Sequence, residues 1–435
     1  MEPAEHDIAA ARALPPQAPA LPAGHAAALL DGGVRRRGHA PLLTFYDDAT
    51  GERTELSWAT FENWVAKTAN LLVEELDVGR GDRVATLLGS SWTTAVVTVA
   101  CWRVGAAVVP VDADAPPSEV RALLTAAAPA VLWCREDLVA DLPDLLAAPA
   151  EVVAVGTGLG GRVTRDVGGA LPYAEEVLAF GDDVDAPPPE PADTALLLWS
   201  ATAGALARLS HEALVAGGAA VASWGLGEDD RLLLSGPLQR VDGLVTGLAA
   251  VLAAGASLVL TRATPPPALL RRVADERVTV SLPRAADLEA LPAADASPAG
   301  LRGFLVPAGA PDALVRDALR AGWPVFVGHG LVEAGCASSL VPADVDAATR
   351  RWLAEAPAAT IGCATAYAEV AADDDGSARP GSGRLRVRGP VLASGYEGRP
   401  DLDAAFAGGW FTSGDRGWCA VGPDGREYAF VSGRR

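Results

Sequence analysis

The sequence predicts an α/β protein built from two parallel-sheet units and a smaller β-rich unit. Three observations carry that prediction. Short uninterrupted apolar runs alternate with longer amphipathic stretches, the pattern of buried parallel strands joined by helices. The alternation occurs twice, on either side of Pro187-Pro188-Pro189-Glu190-Pro191. From about residue 356 it gives way to short strands between Gly, Pro and Asp turns. The expected organisation is an extension over 1–40, a first α/β subdomain over 41–190, a second over 194–355 and a β-rich subdomain over 356–435.

The extension is rich in Ala, Pro and Gly, with one short helix expected near His25 to Leu30. Leu42 to Tyr46 reads as a strand and Asp47-Asp48-Ala49-Thr50-Gly51 as a turn. Ser57 is a good helix N-cap, followed by Phe61, Trp64, Val65, Thr68 and Leu72 at helical spacing. Lys67 falls off that stripe and is expected in solvent. Strands are expected at Val84–Leu88, Ala106–Pro110 and Val131–Cys134, with helices over 93–104 and 118–127 between them. In the second unit they are expected at Ala195–Leu198, Arg231–Leu234, Ser257–Leu260, Val278–Leu282, Phe304–Val306 and Val325–Val327. The last unit should hold Ala366–Val370, Leu385–Val387 and Glu427–Val431. Gly243 to Leu260 is uncharged over 18 residues, the lower limit of a membrane span, but Gly255-Ala256-Ser257 breaks it. A buried helix followed by a strand fits better, so no transmembrane span is expected. No internal sequence repeat is apparent.

Bulk composition excludes several functions. Half of the 435 residues are hydrophobic, ample for a core, and the formal net charge of −20 opposes binding to nucleic acid. The longest basic run, Arg35-Arg36-Arg37, is too short for a phosphate-binding face and is expected in solvent. The cysteines at 101, 134, 336, 363 and 419 lack metal-ligand spacing and read as reduced, mostly buried thiols of a cytoplasmic protein. Of 35 basic residues only Lys67 is a lysine, which confines lysine chemistry to one position.

Chemistry is expected where the strand before Ser200 runs into Ser200-Ala201-Thr202-Ala203-Gly204-Ala205-Leu206-Ala207-Arg208. A strand followed by a small, hydroxylated, Gly-containing loop can cradle phosphate with its N–H groups and hydroxyls. It is not a Walker loop, since no Gly-Lys-Ser/Thr follows. Ala308-Gly309-Ala310-Pro311 and Gly328-His329-Gly330-Leu331-Val332-Glu333 each follow a strand. Gly409-Trp410-Phe411-Thr412-Ser413-Gly414-Asp415 and Ser432-Gly433-Arg434 complete the set. Ser210-His211 has no oriented acid or nucleophile elbow around it. Asp373-Asp374-Asp375-Gly376 reads as a hairpin tip, because the later ligands of a calcium loop are missing.

The order of these segments, with Gly81-Asp82-Arg83, Gly389-Pro390, Gly395-Tyr396 and Gly409-Trp410-Phe411…Gly414-Asp415, resembles the adenylate-forming superfamily over roughly residues 40–435. That superfamily includes acyl-CoA synthetases, luciferases and peptide-synthetase adenylation domains. Leu42–Leu72 also resembles an uncharacterised group of short actinobacterial members. The resemblance implies the fold of the large N-terminal domain of acyl-CoA synthetases. It also implies a reaction in which ATP and a small carboxylic acid give acyl-AMP and pyrophosphate before the acyl group passes to a thiol. By motif, Ser200, Thr202 and Gly204 match the phosphate loop, and Gly309, Ala310 and Pro311 the adenine-binding strand end. His329 and Gly330 fall beside adenine, Glu333 at the magnesium-associated glutamate, Asp415 at the ribose-binding aspartate and Arg434 at the hinge.

The departures from the pattern are as informative. Ala201 and Ala203 replace a Gly and a Thr of the loop, Leu206 its Pro and Ala207 its Lys, and two residues are missing before Ser210. Arg208 stands one position late as a partial substitute for that lysine, though the two cations differ in reach and geometry. Val332 replaces a threonine and Arg240 a frequent histidine. The chain ends at Arg435, where the family's C-terminal domain and its adenylation lysine would begin, so that domain is expected to be absent. Three readings stay open: an impaired ligase dependent on a C-terminal domain or carrier protein in trans, a nucleotide-binding pseudoenzyme holding ATP or AMP and Mg²⁺, and an interaction protein.

Overall fold

The computed structural model describes residues 3–139, 151–157, 159–290, 299–306, 311–320, 323–328, 330–335, 338–373 and 382–433. Two seven-stranded sheets form its centre. In one, the strands run in the order Leu171–Pro172, Glu151–Val155, Val131–Arg135, Arg83–Leu87, Ala107–Pro110, Thr194–Ser200, Ala205–Ser210. In the other the order is Val325–Val327, Gly303–Val306, Val280–Leu282, Arg231–Leu234, Ser257–Arg262, Pro41–Asp47, Glu52–Ser57. In each sheet every neighbouring pair is parallel except the last, which is an antiparallel hairpin.

The linear bounds 41–190 and 194–355 do not follow these sheets. The hairpin at 41–57 completes the sheet of residues 231–327, with Leu43 opposite Leu258. The hairpin at 194–210 completes the sheet of residues 83–172, with Leu196 opposite Val108. The chain thus runs hairpin, five strands, hairpin, five strands, and each hairpin crosses to the other half's sheet.

This is a repeat of topology that the sequence conceals, and local chemistry follows it. Ser57 and Ser210 each end a hairpin and cap a helix, accepting from Thr60 N and Ala213 N. Gly105 and Gly255 each end the next helical segment in the left-handed region, at φ +78° and +71°, where glycine carries no Cβ penalty. Pro117 and Pro266 each open the helix after the following strand.

The helix Trp92–Val104 is buried all round except at Arg103, as expected of a helix packed between layers. It touches Pro41–Asp47 of one sheet and Ala107–Pro110 of the other. The stretch after Asp242 winds as π-helical and then α-helical turns to Ala254 before entering Ser257–Arg262. Among the described residues no helix is long and apolar enough to cross a membrane.

The third sheet is antiparallel, in the order Ser339–Leu340, Ala359–Ala364, Glu427–Gly433, Phe411–Val421, Ser382–Arg388, Glu369–Ala372. Residues 366–368 form a turn rather than the start of a strand, and most of the Gly409–Asp415 motif lies on a long strand, Phe411–Val421. Gly417 makes that strand feasible: a Cβ there would lie 1.9 Å from Phe430 O. Asp373 N donates to Arg384 O, and the rest of the expected hairpin tip, 374–376, lies outside the described residues.

The extension holds two helices rather than one, Pro3–Ala11 and Ala27–Arg37. Arg36 and Arg37 are not free in solvent, since both pair with Glu228. Lys67 is half-buried, and its ammonium donates to Phe180 O, while Asn70 donates to Gly181 O and Asp183 O. These bonds tie the start of the interdomain linker to the first long helix. Cys101 and Cys134 are buried, Cys363 and Cys419 half-buried, and Cys336 lies outside the described residues.

Gly33 faces Trp58, which is fully buried; a Cβ at Gly33 would lie 1.9 Å from the indole. Gly33→Ala is expected to cost about 1–3 kcal/mol through overpacking, measured by urea unfolding; a loss under 0.5 kcal/mol would refute this account.

Candidate functional site

The residues expected to form a phosphate loop are mostly strand. Thr194–Ser200 pairs antiparallel with Ala205–Ser210, leaving only Ala201 to Gly204 as the turn. Gly204 closes it at φ +62°. Its N–H donates to Ser200 O at 2.8 Å, and Ala203 N donates to Ser200 Oγ at 3.2 Å. Two amides that a phosphate loop would offer its ligand are therefore engaged within the turn.

The outer edge of Ala205–Ser210 is covered by residues 394–397. Arg208 N donates to Gly395 O, Ser394 N to Arg208 O and Glu397 N to Leu206 O, at 2.7–3.0 Å. This pairing places Tyr396 opposite Ala207. The Tyr396 hydroxyl then donates to Glu333 Oε1 at 3.0 Å, and Ser200 Oγ donates to the same oxygen at 2.5 Å. Glu333 sits in a single 3₁₀ turn, Val332–Ala334, and its own carbonyl accepts from Ala393 N. Ser200 is 2% exposed and Glu333 4%. Burial, and then the adjacent Glu333 charge, push the Tyr396 phenol far above its ordinary value, so it is a fixed donor.

While Tyr396 braces Glu333 from behind and lines a separate cleft, Ser200 and Glu333 line a cleft of about 600 Å³, within the range for small-molecule sites. Pro110–Asp112 and Leu198–Thr202 reach it from one sheet, Gln239–Val241 and Gly330–Glu333 from the other. It thus lies outside the carboxyl ends of parallel strands, where open α/β sheets bind ligands. Val120 and Leu123 form an apolar wall from the helix Pro117–Ala127. Trp199, 47% exposed, adds an aromatic face. Among the described residues Arg240 is the one cation lining the cleft, against Asp112, Glu119 and Glu333.

Of the residues singled out from sequence, Ser200, Thr202, Gly330 and Glu333 share this cleft, and Gly204 closes the turn beside it. Pro311 starts the helix after residue 311 on an exposed face, and Asp415 lies on Phe411–Val421 with its N–H donating to Ser413 Oγ. Neither lines the cleft. Gly309, Ala310, His329 and Arg434 lie outside the described residues.

Arg208, the expected stand-in for lysine, faces elsewhere. It lines a second cleft with Arg12 and Asp403, and its guanidinium donates to Ser394 O at 3.1 Å. Strand alternation explains this: Ala207 and Leu209 point into the core, so Arg208 points to the other face. Ser210 accepts from Arg12 and caps its helix. His211 is fully buried and accepts from Ala26 N; burial and the neighbouring His25 lower its pKa to about 4, leaving a neutral structural ring. Sequence reasoning noticed Tyr396 only as part of a motif and missed its bond to Glu333, because that contact spans 63 residues and depends on strand pairing.

Comparison with known proteins adds a second kind of finding. The family model described as AMP-binding enzyme matches residues 30–397. A TIGR03089 family protein of Mycobacterium tuberculosis is 38% identical over 258 residues, which is 58% of this chain and 95% of that protein. An indoleacetate–CoA ligase of Aromatoleum aromaticum is 30% identical over 400 residues, covering 88% of this chain and 74% of the ligase. The crystal structure of the N-terminal domain of FACL13 from M. tuberculosis aligns with a TM-score of 0.78 at 20% identity, covering 94% of this chain and all of that one. ATP-bound MatB from Rhodopseudomonas palustris aligns with the same score at 21% identity, covering 94% of this chain and 78% of its own. Both structures share the fold.

Proposed function

The chain belongs to the AMP-binding enzyme family of adenylate-forming ligases, which includes CoA ligases, and we propose that it binds an adenine nucleotide and a small carboxylic acid but adenylates poorly on its own. One observation carries this reading. Ser200 and Glu333, the latter held by Tyr396, line a ligand-sized cleft beside a turn that has spent two amides on itself and carries no lysine. Glu333 suits magnesium only jointly with ligand phosphates, because one carboxylate is too few alone and magnesium commonly completes its shell with phosphate oxygens and water. Among the described residues no cluster of three or more metal-ligating side chains occurs. Bound magnesium would offset phosphate charge next to Glu333.

Among the described residues, pyrophosphate leaving this cleft would meet no lining cation but Arg240, and Arg240 is already 3.3 Å from Asp242. Each missing transition-state contact of this kind costs on the order of 2–4 kcal/mol. The reading therefore includes a partner in trans, a C-terminal domain or carrier protein, that supplies a cation or accepts the acyl group. Val332, which cannot hydrogen-bond a phosphate, and the committed amides of Ala203 and Gly204 favour a second reading, a nucleotide-binding protein without catalysis.

Thermal unfolding with AMP or with ATP and Mg²⁺ tests binding. A nucleotide at about 100 times its Kd adds roughly 2.7 kcal/mol. No shift with either at millimolar concentration would end both readings. Carboxylate-dependent pyrophosphate exchange by the isolated chain is expected at background, and robust exchange would refute the impairment.

A further inference from the structure

The cleft that Arg208 faces is a cationic site in an acidic chain. It measures about 500 Å³ and shares no lining residue with the first cleft. Among the described residues three guanidinium groups line it, Arg12, Arg208 and Arg399, against one carboxylate, Asp403, although the chain carries a net charge of −20. Two of the three are answered at short range. Arg12 donates to Glu212, Ser210 Oγ and Leu392 O, and Arg399 forks onto Asp401 at 2.7 and 2.8 Å. Arg208 is not. Its guanidinium donates to one neutral acceptor, Ser394 O, and its ion-pair partner Glu397 stands 3.9 Å away while Arg83 holds that carboxylate at 2.8 Å. The Arg208 side chain is 34% exposed, so an incoming anion can reach it. Gly395 keeps the floor beneath it open: at φ +109°, a Cβ there would lie 3.0 Å from Arg208 Nη2.

Several guanidinium groups around one cleft favour a ligand with more oxygens than a carboxylate has. A phosphate can accept from more than one arginine fork, whereas a carboxylate is filled by one. Ile8 of the N-terminal helix and Pro400 add an apolar wall that suits a small organic group. Tyr396 makes occupation consequential, because it lines this cleft and its hydroxyl holds Glu333 in the first. Arg208 pairs through its backbone with Ser394 and Gly395, the two residues before Tyr396. An anion fixed on Arg208 would therefore steady the segment that aims Tyr396 at Glu333. We propose that the second cleft is an effector site for a phosphate group, free or carried as a monoester on a small molecule, and that its occupation tightens nucleotide binding in the first cleft by preorganising Glu333. Arg208 anchors the phosphate, and Arg12 and Arg399 flank it.

The coupling rests on the reading of the first cleft as a nucleotide site; the anion site does not. The intact chain is titrated calorimetrically with inorganic phosphate at constant ionic strength, as are Arg208→Gln and Arg240→Gln, the latter lacking the cation of the first cleft. Saturable binding is expected, weakened about tenfold or more in Arg208→Gln, as for a lost charged hydrogen bond, and changed less than about twofold in Arg240→Gln. No saturable binding by the parent, or a loss in Arg240→Gln rather than in Arg208→Gln, would overturn the site. Acetate is expected to bind about tenfold more weakly than phosphate, and equal affinity would overturn the choice of phosphate. Glycerol 3-phosphate separates the sources: binding tighter than that of phosphate marks a monoester, weaker binding the free ion. ATP with Mg²⁺ is then titrated with and without saturating phosphate. Binding about threefold tighter is expected in the parent, with no tightening in Arg208→Gln. Unchanged or weaker ATP binding in the parent would end the effector role and leave the nucleotide reading standing. Absence of ATP binding with phosphate binding kept would end the nucleotide reading and leave the anion site standing.

Discussion

Glu136→Ala is expected to destabilise the fold by on the order of 3–5 kcal/mol in urea unfolding. Glu136 is 2% exposed and stands at the end of the strand Val131–Arg135. Its carboxylate accepts from the backbone N–H groups of Thr157, Thr164 and Arg165 and from the hydroxyls of Thr157 and Thr164. One side chain thus holds the crossing that follows Glu151–Val155, where Gly156 is already so close to Arg162 that a Cβ would lie 1.9 Å from its carbonyl oxygen. Alanine would leave three amides unanswered, each at about 1–3 kcal/mol. Burial raises the Glu136 pKa, but the bonds from Thr157 and Thr164 outweigh it and bring the group down to about 2 from 4.5. A carboxyl depressed on folding contributes stability that is complete above its unfolded pKa and is lost as pH falls through the folded value. The intact chain should therefore lose stability between about pH 4.5 and 2, with a shallower loss in Glu136→Gln. A cost under 1 kcal/mol for alanine would show that the crossing is held by something else.

The alternation of strands and helices was readable because it is local. Arg231–Leu234 and Val325–Val327 appear as expected, and Val84, Ala85 and Leu87 form an apolar run because both faces of their sheet are covered. Sheet membership was not readable. Nothing near Leu43 in the chain indicates that its partner is Leu258, and the crossing of the two hairpins is decided by packing between distant segments. The repeat of topology was hidden for a related reason: its shared features are a capping serine, a left-handed glycine and a proline, each one residue among many that differ.

At the site, the resemblance of Ser200–Arg208 to a glycine-rich loop concealed a hairpin. Ala205, Ala207 and Leu209 share one face and Leu206 and Arg208 the other, but Leu206 is buried too, so the alternation carries no clear polarity, and small residues make a weak strand signal. Tyr396 gains its role only from what pairing and packing bring beside it.

Ala207→Lys, the substitution that restores the family's lysine by alignment, is expected to damage the protein rather than revive it. Ala207 is fully buried, pairs with Leu198 and lies opposite Tyr396 on its outer edge. A lysine there would bury an ammonium in the main hydrophobic cluster, on the face of a Glu333 carboxylate already engaged by Ser200 and Tyr396, and would overfill a site shaped for a methyl group. Burying a charge costs several kcal/mol even after relaxation, so a loss on the order of 3–5 kcal/mol is expected, with pyrophosphate exchange still at background. Ala201 gives the contrasting case. It is exposed, in the turn, and lines the cleft. Ala201→Lys should leave stability within about 0.5 kcal/mol, as surface substitutions usually do. Its ammonium would reach ligand phosphates in a cleft whose described lining offers one cation, Arg240, and an exposed pair worth up to about 1 kcal/mol would tighten ATP binding roughly fivefold. Should Ala207→Lys prove as stable as the parent, the strand assignment of 205–210 would fall. The lysine was lost with the loop that presented it, so replacing the residue without rebuilding the loop puts the charge at a packed strand position rather than on a loop that can present it.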